Sequence, residues 1–352
     1  MSSIALHLLA TRPLPWLAEV SDPGGIAVSS RVRLARNLAG MPFPNRASAR
    51  DLHNVVDQVR TAVDAGESRL RVAGLFLLSN LSPVERLVLL ERRLISADLD
   101  AKPADRAVIV SPDETASLML NEEDHLRLQV LLPGLRMKEA LERAREIDTD
   151  LLARLTPAYR EDLGFLTCCP TNLGTALRAS VMLHVPGLVL TGRIEETSRA
   201  LFRLGYAVRG AFGEGEETVA HFIQVSNQST LGETEDEIVA DLEYYVRAVI
   251  CAEENARKYL VRQQRDLLYD HVGRAYAIVR FARYLTTKEA LDCVSVLRLG
   301  VELGLFSKLT HDTMQTLCRE LQPGHLQMIL GEQPDSADRD RARATLARAA
   351  VS

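Results

Sequence analysis

The sequence predicts an α+β fold: a mainly antiparallel sheet flanked by helices, followed by an all-α C-terminal region. Three observations predict it. Strand-like segments fall at residues 70–78, 107–111, 117–120, 125–132, 178–184, 207–211 and 219–225, each of strand length and rich in apolar residues. Several neighbours are separated by too few residues for a helical crossover, so adjacent strands should pair antiparallel. From Thr234 onward only helical spacing remains.

The elements follow in order. Residues 1–25, broken by Pro13, Pro15 and Pro23, read as an N-terminal arm. Between 47 and 65, Leu52, Val55, Val56, Val59 and Val63 recur at helical spacing, and further helices are expected at 83–94, 137–155 and 194–204. Thr234-x-x-Glu237 is a capping box ahead of Ile238, Leu242, Tyr245 and Val249. Thr286-x-x-Glu289 opens a second helix carrying Leu291, Val294, Leu297 and Val301. The expected organisation is the arm 1–25, an α+β domain 26–256 whose last helix begins at the first capping box, and a helical domain 257–352.

Composition narrows the function. The chain has 352 residues, 47% of them hydrophobic and 25% charged, which excludes disordered, collagen-like and disulfide-scaffold proteins. No apolar run reaches the roughly 18 residues of a membrane span, and residues 4–10 have no basic residue ahead of them, against a secretory signal. The five cysteines (Cys168, Cys169, Cys251, Cys293, Cys318) form no CxxC pair, which speaks against a structural zinc site and fits a reducing cytoplasm. A net charge of -5 gives no general attraction to nucleic acid or anionic membrane. Of the 42 basic residues only five are lysine, so phosphate handling here should fall to arginine.

Four segments place charged or special residues at strand ends and loops. In Ser29-Ser30-Arg31-Val32-Arg33-Leu34-Ala35-Arg36, an extended strand turns Arg31 and Arg33 to one face. Two guanidinium groups there repel unless an anion lies between them, and phosphate matches their fork; a solvated edge strand is the plainer reading. Asn121-Glu122-Glu123-Asp124-His125-Leu126-Arg127 sets three carboxylates ahead of an apolar strand. It is either a solvated turn or a place where one carboxylate meets a cationic substrate and Arg127 an anionic one. Cys169-Pro170-Thr171-Asn172-Leu173-Gly174-Thr175, running into Arg178-Ala179-Ser180, is a turn by composition. Its cysteine is either packed or an activated thiolate. Arg209-Gly210-Ala211-Phe212-Gly213-Glu214-Gly215 is a glycine-rich loop able to close over a ligand. No P-loop, HRD or DFG sequence occurs. Arginines, separated carboxylates and a glycine loop suit phosphoryl transfer, where positioning and charge neutralisation supply most of the catalysis. The carboxylates suggest a cationic acceptor.

These segments resemble the phosphagen (guanidino) kinase superfamily and, within it, the bacterial protein-arginine kinases of McsB type. SSRVRLARN, NEEDHLRLQ, CPTNLGTALRASVMLH, RGAFGEG and QVSNQSTLG occur in the family order and span nearly the whole chain. The resemblance implies a phosphagen-kinase-like catalytic domain using ATP and Mg²⁺. Arg31, Arg33, Arg127, Arg178 and Arg209 match the arginines that hold the ATP phosphates. The nucleotide-contacting stretches match Ser29, Ser30, Arg31, Val32 and Arg33; Arg178, Ala179, Ser180, Val181 and Met182; and Arg209, Gly210, Ala211, Phe212, Gly213 and Glu214. Arg93 stands where related sequences place a histidine near the nucleotide. Glu123 matches the catalytic carboxylate that orients the acceptor guanidinium and takes its proton, Glu214 the second carboxylate on that guanidinium, and Cys169 the cysteine beside it; Cys168 matches no functional position. Arg339-Asp340-Arg341-Ala342-Arg343-Ala344 fits the RDxxRA motif that forms an allosteric phosphoarginine-binding pocket in the bacterial family, against the plainer reading of a solvated helix.

A protein substrate is implied on two counts: only 28 residues precede Ser29, leaving no room for the small-substrate N-terminal domain, and the helical C-terminal domain is present. The resemblance also implies that phosphoarginine marks proteins for a Clp chaperone–protease in protein quality control and the stress response. It further implies a zinc-binding activator protein, a heat-shock repressor as substrate, and a homodimer. Two alternatives stay open: a kinase for free arginine or another small guanidino compound, and a non-catalytic phosphoarginine-binding module.

Overall fold

The computed structural model describes residues 9–18, 25–71, 74–210, 219–331 and 335–352. The chain begins its sheet at β1 (Ala27–Arg36), followed by α1 (Ala49–Ala65), β2 (Gly74–Leu77), α2 (Pro83–Glu91) and α3 (Ala97–Ala101). Then come β3 (Ala107–Val110), β4 (Ala116–Leu120), β5 (Leu126–Pro133), α4 (Met137–Leu152) and a small hairpin of β6 (Tyr159–Arg160) and β7 (Gly164–Phe165). β8 (Leu177–His184), α5 (Pro186–Leu190), α6 (Ile194–Arg203), β9 (Tyr206–Gly210) and β10 (Phe222–Asn227) complete the strands. The rest is helical: α7 (Glu235–Gln263), α8 (Arg265–Phe281), α9 (Thr287–Glu302), α10 (His311–Glu320), α11 (Pro323–Leu330) and α12 (Ser336–Ala350).

Eight strands form one sheet in the order β2-β3-β4-β5-β1-β8-β10-β9, every neighbour antiparallel, as the short connections of β3-β4, β4-β5 and β9-β10 led one to expect for those pairs. β1 is therefore a central strand, and the solvated-edge reading of its arginines does not hold. Residues directly opposed across a ladder share a face. Arg31 pairs with Ser180 and Leu131, Arg33 with Arg178 and Gln129, and Ala35 with Arg127. Gln224 pairs with both Met182 and Arg209. One face of the sheet is thus polar and cationic.

The other face is the core. Val32, Leu34, Leu118, Leu128, Val130, Val181 and Leu183 pack there against Val55, Val59 and Val63 of α1, Ala140, Leu141 and Ile147 of α4, and Leu242 and Val246 of α7. Burying each aliphatic chain contributes about 1.5–3 kcal/mol. A one-residue slip of β1 would exchange Val32 and Leu34 for Arg31 and Arg33, so the alternation itself fixes the register.

The helices start where their caps predict. Ser48, Ser82 and Thr234 accept from the third helical N–H while Asp51, Glu85 and Glu237 reach back. The predicted 219–225 strand is shorter than expected: Val219–His221 is a turn with Ala220 at φ 59 and His221 at φ 54, and pairing begins at Phe222. Likewise the helix over 83–94 stops at Glu91, because Arg93 adopts φ 62.

α7 runs unbroken through residues 256 and 257 into the helical region. That region packs around Leu268, Val279, Leu297, Leu317 and Ala344, and Trp16 and Met182 join the same cluster. Two buried charge sites fasten it, one to α2 and one to α7. Glu91 accepts from the Gly324 and His325 N–H groups and from His325 Nδ1 at 2.6–3.0 Å, capping α11. Arg257 meets Glu253 and Glu302, and Arg298 meets Glu302, at 2.6–2.9 Å.

Candidate active site

The cationic face of the sheet gathers Arg31 and Arg33 of β1, Arg127 of β5, Arg178 of β8 and Arg209 of β9. Among the described residues few of their charges are answered. Arg31 donates from Nε to Ser180 Oγ (3.2 Å) and from Nη2 to Gln224 Oε1 (2.8 Å), both neutral partners. Arg33 Nε is buried with no hydrogen-bond partner. Burial pushes the Arg31 guanidinium down to about 9, with Arg93, Arg127 and Arg178 adding repulsion. Arg33 is pushed well down too, by burial first and then by Arg31, Arg127 and Arg178. Guanidinium groups keep their protons, so this strain is relieved by an anion. An oligophosphate fits: several forks converge on one strip of sheet.

Arg93 joins this strip. Its guanidinium lies over the Trp16 ring (4.9 Å), burial pushes it down to about 10, and it lines a small cavity with Ser29, Arg31, Ser180 and Met182. Its left-handed backbone is held by Gln129 Nε2 donating to its carbonyl (2.7 Å). Ser30, Val32, Ala179 and Val181 fall on the opposite face by parity. Val32, Ala179 and Val181 are core residues. Ser30 Oγ donates to Gly134 O and accepts from Arg136 N–H, both at 2.8 Å, closing the turn before α4. Their side chains therefore leave the nucleotide-contacting set expected from the sequence.

Arg127 is the exception among the arginines, being paired with Glu122. That carboxylate is 3% exposed and also accepts from Ser96 Oγ. The rest of the acidic segment is equally committed. Asn121, at φ 60, donates to Leu52 O and Asp105 O at 2.9 Å. Asp124 accepts from Asn37 Nδ2 and Cys168 N–H, and His125 bonds Leu38 N–H and Pro42 O. All four are buried; Glu123 alone is exposed. A solvated turn would expose them together, so the plainer reading of this segment fails too. Desolvation raises the Glu123 pKa, and the Asp124 carboxylate raises it further. A carboxylate shifted this way is a stronger proton acceptor.

Arg178 marks where the two halves meet. Burial, Arg209 and Arg127 lower its pKa, while Glu123 and Cys169 act on it in the opposite direction. Cys169 is half-buried at the mouth of a 3₁₀ turn (Pro170–Asn172), with its Sγ 3.0 Å from Thr171 Oγ1. Gly174, at φ 100, is obligatory in this loop, because a Cβ would collide with the Thr230 carbonyl. Arg36, by parity on the core face, fixes the loop from beneath. It bonds Asp148 Oδ2 (2.7 Å) and Thr175 O (3.1 Å) and stacks on Phe165 at 3.5 Å. Of the glycine loop, Arg209 and Gly210 end β9; Ala211, Phe212, Gly213 and Glu214 lie outside the described residues.

The positions that sequence reasoning passed over are Asn37, Asp124, His125, Arg36 and Trp16. Arg36, Asn37 and His125 sat inside quoted motifs with no role read for them, and Asp124 counted only as one of three carboxylates.

In α12 the Arg339–Ala344 segment divides. Arg343 is 2% exposed, and donates to Leu321 O (2.8 Å), Leu285 O (2.7 Å) and Asp340 Oδ1 (2.5 Å). Ala344 is fully buried. Asp340 and Ala342 are half-buried. Arg341 is exposed against Tyr284, its Nε 3.0 Å from the phenol oxygen, and Arg339 is half-buried. The solvated-helix reading therefore fails, but Arg343 serves the fold and not an open pocket.

Among the described residues no helix is long and apolar enough to cross a membrane. Residues 54–256 match the ATP:guanido phosphotransferase C-terminal catalytic domain, and residues 265–352 match the protein-arginine kinase McsB C-terminal domain. The chain is similar to a protein-arginine kinase of Symbiobacterium thermophilum, 42% identical over 343 residues and 96% of both chains. It is likewise similar to one of Moorella thermoacetica, 43% identical over 345 residues, covering 97% of this chain and 99% of that one. In fold it is similar to the crystal structure of lombricine kinase (TM-score 0.58, 23% identity, 70% of each chain). The substrate-free duplicated taurocyamine kinase from Schistosoma mansoni is similar too (TM-score 0.60, 23% identity, 79% of this chain and 43% of that chain). With this sheet, this site and these two matched segments, the chain belongs to the protein-arginine kinase family of ATP:guanido phosphotransferases.

Proposed function

We propose that this chain transfers the γ-phosphoryl group of Mg·ATP to arginine side chains of proteins. One observation carries the reading: Arg31, Arg33, Arg178 and Arg209, which meet no carboxylate among the described residues, end beside a turn that buries four polar residues and exposes Glu123 alone. Arg31, Arg33, Arg178 and Arg209 face the phosphates, with Arg93 at the end nearer Trp16. Glu123 faces the acceptor. An acceptor guanidinium has no free lone pair until a proton leaves it. Glu123 receives one Nη proton, the freed nitrogen pair forms the N–P bond, and the γ-phosphorus–oxygen bond breaks with its electrons leaving on ADP. Glu214 is assigned as the second carboxylate, and Cys169 sits beside the acceptor.

Mg²⁺ belongs to the substrate in this scheme. Among the described residues no group of three or more His, Cys, Asp or Glu side chains is placed to hold a metal. In this reading the cation enters on the nucleotide's phosphates.

The wider role follows the family resemblance. We propose a cytoplasmic, homodimeric enzyme that acts in stress responses, marks proteins for a Clp chaperone–protease, phosphorylates a heat-shock repressor and answers to a zinc-binding activator. Its phosphoarginine regulation would centre on Arg339, the arginine of that motif not locked into the core.

The test is incubation of purified protein with Mg·ATP and an arginine-rich protein, with free arginine as a parallel acceptor. Products are mapped by mass spectrometry without acid, which cleaves N–P bonds. Phosphoarginine on protein and none on the free amino acid is expected. The fold shared with lombricine kinase favours a second reading, a kinase for a small guanidino compound. Phosphorylation of free arginine alone would establish that instead. Nucleotide binding without turnover would point to a phosphoarginine reader.

A further inference from the structure

We infer that Asn37 and Asp124 form a positioning clamp that sets the Glu123 turn against the Cys169 loop. The inference rests on the reading of Glu123 as the group that receives the acceptor's proton. Asn37 lies just past the end of β1 and is 1% exposed. Its amide is used at both ends. Nδ2 donates to Asp124 Oδ1 (2.6 Å) and to Leu166 O (3.0 Å), and Oδ1 accepts from His125 N–H (2.9 Å). Asp124 Oδ1 also accepts from Cys168 N–H at 2.7 Å.

One side chain thus joins two segments remote from it and from each other. Its partners flank the groups assigned to the acceptor: Asp124 and His125 follow Glu123, and Cys168 precedes Cys169. His125 closes the assembly. Its Nδ1 accepts from Leu38 N–H (3.1 Å), so the proton assigned to Nε2 is donated to Pro42 O (2.9 Å). Burial pushes the His125 pKa down, which keeps the ring in that neutral form.

A clamp needed only for folding has no use for a buried carboxylate. Asp124 is 2% exposed and burial raises its pKa, a cost that an asparagine would avoid while keeping an oxygen for both donors. What the carboxylate adds is charge beside Glu123, whose own pKa it raises. Asp124 therefore holds the turn and also tunes the basicity of its exposed member. Asn37 has no such electrostatic part, so its contribution is geometric. A displacement of about 1 Å at a reacting centre costs roughly 10²-fold in rate.

The experiment compares Asn37→Ala, Asn37→Asp, Asp124→Asn and the double variant Asn37→Asp/Asp124→Asn in the full chain, with Glu123→Gln as reference. Phosphorylation of an arginine-rich protein is followed for kcat, for KM of Mg·ATP and for its pH profile. Asn37→Ala should lower kcat by roughly tenfold or more and leave KM for Mg·ATP within about twofold, since the clamp touches none of the sheet-face arginines. Asn37→Asp sets two carboxylates face to face and should lose more. Adding Asp124→Asn removes the repulsion between the two carboxylates and should recover part of the loss, read as coupling between the two substitutions. Asp124→Asn alone should move the acid limb of kcat to lower pH.

A wild-type kcat in Asn37→Ala would overturn the inference while leaving the Glu123 reading in place. So would a loss in Asn37→Asp that the second substitution fails to rescue. Full activity in Glu123→Gln would remove that reading and the inference with it.

Discussion

The nucleotide half and the acceptor half of this site are built by different means. The nucleotide half is written in strand parity: Arg31, Arg33, Arg127, Arg178 and Arg209 share a face because each opposes another member of that face across an antiparallel ladder. Its rigidity comes from the core beneath, and among the described residues Arg127 alone of its arginines is held by a carboxylate, Glu122. The acceptor half is written in side-chain hydrogen bonds between loops. Glu123 is exposed because Asn121, Glu122, Asp124 and His125 are each pinned inward by a different partner. A sheet can carry charges that repel, since its ladder does not depend on them. A loop cannot be placed without partners, so the acceptor half spends its polar residues on the fold and leaves one for chemistry.

The largest break in that comparison should come from the nucleotide half. Replacing Arg33 by methionine removes a guanidinium repelled by Arg31, Arg127 and Arg178. We expect kcat to fall by about 10³-fold or more, on the scale of arginines that stabilise phosphoryl transfer elsewhere. Thermal melting without ligand should show a stability that is held or raised, and Mg·ATP should stabilise the variant less than the wild type.

A buried arginine that serves the fold should behave in the opposite way. Arg343→Ala strips the partners from Leu321 O, Leu285 O and Asp340. Urea denaturation should report a loss of about 3–5 kcal/mol, the scale for breaking a buried pair. Arg341→Ala, on the exposed side of the same helix, should stay within about 0.5 kcal/mol.

The smallest effect sharpens the acceptor half. Proton acceptance needs the Glu123 carboxylate ionised. Its pKa is raised, so the acid limb of kcat should lie above that of an unperturbed glutamate. Removing the Asp124 charge removes one cause of that rise, and the limb should move down in the Asp124→Asn pH profile. Movement upward would mean that Asp124 acts on some other group.

The same contrast explains what could be read from the sequence. Arg31 and Arg33 alternating with Val32 and Leu34 announced a two-faced strand, and the two capping boxes announced the helix starts, because both signals are local. Which members of the acidic segment would be buried was not legible, since their partners lie far off: Ser96 for Glu122, Cys168 for Asp124, Leu52 and Asp105 for Asn121. Asn37 gave no sign of its role for the same reason. Stretch-wise matching also counted Ser30, Val32, Ala179 and Val181 toward the nucleotide, when period-two alternation turns every second side chain into the core. In α12 a run of charge and alanine suggested a solvated helix, but Arg343 buries itself by finding two carbonyls and a carboxylate. The unbroken α7 leaves no linker between the regions for a sequence to display.

The central claim is that the exposed member of the acidic segment takes the acceptor's proton while the sheet face holds the nucleotide. The most direct test is the kcat of Glu123→Gln on a protein substrate, measured together with its affinity for Mg·ATP. The account predicts a fall in kcat of about 10²-fold or more with nucleotide affinity unchanged. An unaltered kcat, or a loss of nucleotide binding that accounts for the whole effect, would contradict it.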